Sequence, residues 1–196
     1  MTIFLILAPF GSFALLMLVT SAEISLFAAA AICLAVVGID VYRGRSIKML
    51  GAGTVIVFTA LGAYIALIDP NMSHSVVKLI VDIGVLTISL ASLAIRKPFI
   101  LQYALEEVDA ETAKLPGFRK AIYIITWAWT GAFVLMIAGN VLTIYVPGVP
   151  LWSGLVIAFA ARNSAAYFTT WYPQYRKAKY ATKHAAPPAN ALPGTN

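Results

Sequence analysis

Arg162 and Asn163 stand side by side in Val156-Ile-Ala-Phe-Ala-Ala-Arg-Asn-Ser-Ala-Ala-Tyr-Phe168, an otherwise apolar run. Asp82 lies in a second apolar run and Asn140 in a third. These residue types support two kinds of chemistry. An aspartate and an arginine buried between helices form an ion pair that fixes helix order and register. In a substrate or proton site, by contrast, Arg162 clamps an anion and Asp82 is the titrating group, because ionisable groups inside membranes often mark pathways.

Depth decides which residues can meet. Arg162 lies eleven residues beyond Leu151, so its backbone sits about 16 Å below the outer boundary at about 1.5 Å per residue. Isolated there, a guanidinium costs about 2.5–3.5 kcal/mol on insertion scales, so it must face protein or water and find a partner. Asp82 lies seven residues into its run, about 10 Å deep, and the remaining gap of about 6 Å is within reach of an extended guanidinium. Asp40 competes less well, since it stands three residues before Arg43 and is neutralised locally. Lys78, four positions before Asp82, is the other cation that could pair with it.

Helical spacing lines up Lys78, Asp82 and Ser89 in one run, and Thr126, Thr130 and Asn140 with Phe133 and Ile137 in another. Arg162 is flanked by Ala158, Ala160, Ala161, Ser164, Ala165 and Ala166, whose small size lets another helix approach closely. The expected polar centre therefore holds Asp82, Asn140, Arg162 and Asn163.

Other chemistries find no residues. The two histidines, His74 and His184, fall outside the apolar runs, so paired intramembrane haem ligation is ruled out. Cys33 is the single cysteine, which leaves no internal disulfide, CxxC pair or zinc cluster. No HExxH, GxSxG or Gly-rich phosphate loop occurs, and the acids are too scattered for a two-metal site. No catalytic residue, cofactor or metal ligand is expected.

The elements that carry these residues are membrane spans. The chain is 61% hydrophobic and 11% charged, against about 25% charge in ordinary soluble domains. A bilayer core takes about 20 apolar residues per helix. Six such runs are expected, from Thr2 to Thr20, Ile24 to Tyr42, Met49 to Ile68, Ser75 to Ile95, Ala121 to Val146 and Leu151 to Trp171. The fold expected is thus all-α, a polytopic bundle over residues 1–172 followed by a basic, largely disordered tail over 173–196. A cleaved signal peptide is a poorer account of the first run, which lacks a positive n-region and is too long.

Lysine and arginine set the orientation. Twelve of the fourteen fall in the second connection (Arg43, Arg45, Lys48), the fourth (Arg96, Lys97, Lys114, Arg119, Lys120) or the tail (Arg176, Lys177, Lys179, Lys183). Both termini are therefore expected in the cytoplasm, with anionic lipid headgroups as partners of the basic side and no role for nucleic acid. Tyr64, Tyr145 and Trp152 mark outer ends, and Tyr42, Tyr123, Trp171 and Tyr172 inner ends.

The segment 96–120 reads as a cytoplasmic loop with one short interfacial helix, begun by Pro98 and carrying Leu101, Leu105 and Val108 at helical spacing. Its acids, Glu106, Glu107, Asp109 and Glu111, read as a solvated charge run. Asp69-Pro70 after one span, a small-residue span ending at Ile95, Arg-Lys-Pro-Phe-Ile-Leu-Gln-Tyr-Ala104, then Phe118-Arg119, Thr126 and Trp127 resemble a group of bacterial multi-span proteins, some carrying a septation-protein-A-like label. The resemblance covers the third to fifth spans. It implies a bacterial inner-membrane protein and carries no functional residues with it. The primary expectation is a structural or assembly subunit held together by Asp82 and Arg162, with a membrane-protein partner or a second copy. The alternative is a small-solute or proton-coupled transporter using the same centre, and a membrane enzyme ranks third.

Overall fold

A computed structural model of the protein describes residues 2–185. Those residues form eight helices and no strand: α1 (Thr2–Leu16), α2 (Ala22–Tyr42), α3 (Met49–Leu67), α4 (His74–Ala94), α5 (Phe99–Ala104), α6 (Ala110–Lys114), α7 (Pro116–Tyr145) and α8 (Leu151–Ala185). Four are long and apolar enough to cross a membrane, namely α2, α3, α4 and α7 from Gly117 onward. The chain is a membrane protein. The first expected span gives the 15-residue α1, and in α8 Arg162 and Asn163 dilute the apolar half.

Local chemistry sets the helix ends. Ser21 and Ser73 accept hydrogen bonds from the amides of Ile24 and Val76, capping α2 and α4. Pro116 occupies the first turn of α7, where its missing N–H costs nothing. α8 does not stop at Trp171 as expected. It runs through Pro173 to Ala185, because Gln174 to Lys179 are mostly good helix formers and extend the helix beyond the proline. The expected disordered tail is thus helical over 173–185, and its remainder, 186–196, lies outside the described residues.

Two apolar clusters hold the helices together. In the first, Phe58 of α3 is fully buried against Phe10 and Phe13 of α1, with ring centroids 5.9 and 5.4 Å away, and Leu26 and Ala29 of α2 join them. In the second, α7 contributes Ile122, Ile125, Trp129, Phe133 and Met136, which meet Val85 of α4, Phe99 and Ile100 of α5, and Ala161 and Ala165 of α8. α4 joins the two, since its Val77 and Val81 belong to the first cluster and Val85 to the second.

Close approach of helices relies on missing side chains. A Cβ at Gly84 would lie 2.8 Å from Val57 Cγ1, and one at Gly154 would lie 3.0 Å from Thr143 Cγ2. Val57 is β-branched and cannot swing aside easily. Gly84→Val is therefore expected to lower stability by about 2 kcal/mol through overpacking. Gly131→Ala, where a Cβ meets nothing within 4 Å, should be neutral or stabilising. Thermal unfolding in detergent checks both, and equal melting temperatures for the two variants would contradict the close α3–α4 contact.

The segment 96–120 differs from expectation. It forms two short helices instead of one, and Phe99 and Ile100 of α5 are buried in the second cluster. Arg96 adopts a left-handed φ of 57° that turns the chain back, and Ser92 Oγ accepts the Phe99 amide at 3.1 Å. Leu105, placed on the apolar face by spacing alone, is exposed.

α5 also meets the α2–α3 connection. Gln102 Oε1 accepts the Met49 amide at 2.6 Å. Lys48 is only 4% exposed, and its Nζ lies 2.6 Å from Asp40 and 3.1 Å from Glu106. Arg45 reaches the same two acids at 3.4 and 3.9 Å. Asp40 is thus neutralised by Lys48 and Arg45, with no ion pair to Arg43 among the described residues, and Glu106 leaves the solvated charge run to join them. One end of the bundle, here termed the basic end, is latched by this cluster.

Candidate functional site

α4 and α7 run side by side and present their polar residues to each other. Asn140 Nδ2 donates to Asp82 Oδ2 at 2.6 Å, with both residues buried. Nearer the basic end, the hydroxyls of Ser89 and Thr130 bond at 2.8 Å. Thr130 and Thr126 also donate to the carbonyls of Thr126 and Ile122 in their own helix, the usual way a hydroxyl is satisfied in an apolar helix. Between α7 and α8, Trp129 Nε1 donates to Thr169 Oγ1 at 2.8 Å. These three rungs fix α4, α7 and α8 relative to one another.

A cavity of about 460 Å³ opens between these helices and α5, within the usual size of a small-molecule site of about 300–1,000 Å³. Asp82 and Arg162 both line it. Trp129, Phe133 and Met136 form apolar walls, and Glu107, Thr112 and Lys177 stand toward the basic end. From Arg162 to Lys177 the helix rises about 22 Å, so the cavity is elongated along α8.

The direct contact expected between Asp82 and Arg162 is absent. Among the described residues, no ion pair within 4.0 Å joins them and no hydrogen bond engages the guanidinium. Asp82 is instead held by Asn140, whose side-chain amide takes up Oδ2 and supplies the carboxylate with a direct donor. Asn163 is exposed, and its Nδ2 donates to the Phe159 carbonyl at 2.7 Å. Successive helical residues point about 100° apart, so the turn that puts Arg162 on the cavity puts Asn163 elsewhere.

No family model, curated protein or solved structure matches the chain. The chemistry therefore rests on the side chains alone. Among the described residues no three of His, Cys, Asp and Glu are grouped to hold a metal ion. What remains is a mostly apolar cavity into which Asp82 and Arg162 bring opposite charges, an arrangement that can bind charged groups.

Sequence reasoning missed the latch at the basic end. Its signal was the spacing of Gln102 and Glu106, one helical turn apart, which lets both face the start of α3. Tyr103 lies between them, its ring 5.2 Å from Lys48 Nζ. Burial, reinforced by the charges of Cys33, Asp40 and Glu106, pushes its phenol above the ordinary tyrosine range. The hydroxyl stays protonated through alkaline conditions that would ionise an exposed tyrosine.

Proposed function

We propose that the protein is a six-span protein of the bacterial inner membrane, with α1 and α8 as the first and last spans and both termini in the cytoplasm. Its cavity opens toward the cytoplasm and binds a small solute recognised by Arg162 and Asp82. One observation carries this reading: the two charged groups line the same cavity without touching. A pair retained for packing gains its energy from contact and good hydrogen-bond geometry. Charges held apart at a cavity wall are left for a third participant.

Several features support the frame. The α2–α3 connection and the segment after α4 meet at one end, where most of the lysine and arginine lies, as positive-inside topology requires. Tyr64, Tyr145 and Trp152 are exposed near helix ends at the other, where interfacial aromatics anchor a bundle. Lysines and arginines at the basic end would meet anionic headgroups.

The Asn140–Asp82 hydrogen bond favours a second reading, a structural or assembly subunit in which this rung sets the α4–α7 register. The resemblance to septation-protein-A-like proteins is consistent with it, and its partner would be another membrane protein or a second copy.

Cysteine labelling separates the two readings. In a Cys33→Ser background, Met136→Cys is expected to react with a small water-soluble methanethiosulfonate in inside-out vesicles and to stay unreacted in right-side-out ones. No labelling from either side would leave the scaffold reading in place.

A further inference from the structure

Resting on the solute-binding reading, we infer that the solute is a zwitterion with an apolar side chain, the chemistry of a hydrophobic α-amino acid. The cavity is lined by Asp82 and Arg162, one negative and one positive side chain that form no ion pair within 4.0 Å. Asn140 occupies Oδ2 of Asp82 and gives the aspartate a fixed orientation. A net anion placed here would satisfy Arg162 and set its charge against Asp82. A net cation would do the reverse. Either leaves a buried charge opposed or unpaired, which is costly away from water. A ligand with an ammonium and a carboxylate on one carbon satisfies both groups, the ammonium at Asp82 and the carboxylate on the guanidinium fork.

The walls define the rest of the ligand. Trp129, Phe133 and Met136 line the cavity beside the charged pair, and the indole is held in place by Thr169. A fixed aromatic and thioether surface favours an apolar, and especially an aromatic, side chain. Lys177 and Glu107, toward the cytoplasmic end, belong to the route of entry.

The test uses the full-length protein in lipid nanodiscs and equilibrium binding of radiolabelled phenylalanine, with competition by N-acetylphenylalanine, phenylalaninamide and 3-phenylpropanoate. Phenylalanine is expected to bind, and each analogue lacking one charge to compete at least about 30-fold more weakly. Arg162→Gln and Asp82→Asn should each weaken phenylalanine by a similar factor, while Asn163→Ala on the exposed face should leave it unchanged. Should Arg162→Gln fail to fold, Arg162→Lys retains the charge and should bind measurably but more weakly. Phenylpropanoate competing as well as phenylalanine would overturn the zwitterion inference and keep the solute-binding reading. Absence of binding by all four probes, with Met136→Cys still labelled from the cytoplasmic side, would also overturn the inference alone. Absence of both binding and labelling would overturn the inference and the reading together.

Discussion

Replacing Lys48 by methionine is expected to lower the unfolding free energy by about 3 kcal/mol, the low end of the range for breaking a buried ion pair. The substitution keeps the length and apolar stem of the side chain and removes its charge. Asp40 and Glu106 then lose their closest cation, at 2.6 and 3.1 Å. Arg45 remains near both, at 3.4 and 3.9 Å, and the acids keep some solvent, so the loss stays below the upper end of that range. Arg45→Met should cost less than about 1 kcal/mol, because its side chain is itself substantially exposed. Thermal unfolding in one detergent measures both. If Lys48→Met melts with the parent protein, the latch does not hold α5 to the α2–α3 connection.

The second large effect belongs to the rung between α4 and α7. Asn140→Ala leaves the Asp82 carboxylate without its direct donor in an apolar interior, and the expected cost is about 2 kcal/mol. A double-mutant cycle with Asp82→Ala isolates the contact from the general cost of truncation. The coupling energy should be about 2 kcal/mol, as for hydrogen bonds to charged groups. A coupling near zero would mean that the 2.6 Å bond contributes nothing to the register of the two helices, and the assembly reading would lose its main support.

Much of this architecture is legible in the chain. Apolar runs of bilayer length foretell helices because lipid leaves the backbone no other way to satisfy its polar groups. Asp82 and Asn140 were brought together by depth and face, two quantities that follow from a rise of about 1.5 Å and a period of 3.6 residues. Arg162 reaches the same neighbourhood for the same reason. Its separation from Asp82 was not legible, since periodicity places backbones and says little about which side chain wins a crowded partner. Asn163 shows how sharply a helix sorts its faces: one residue along is enough to leave a site. The Lys48 latch lay further out of reach. It joins residues from a connection and from α5, and only the left-handed turn at Arg96 brings them together.

The unbroken course of α8 has a mechanical consequence. A rod carrying Arg162 in its first half and Lys177 in its second transmits a push on one part to the other, with the Trp129–Thr169 bond as a fulcrum between them. Pro173 supplies no amide hydrogen to the ladder and is the point where such a lever bends most easily. Load applied beyond it is partly absorbed there before it can tilt the guanidinium.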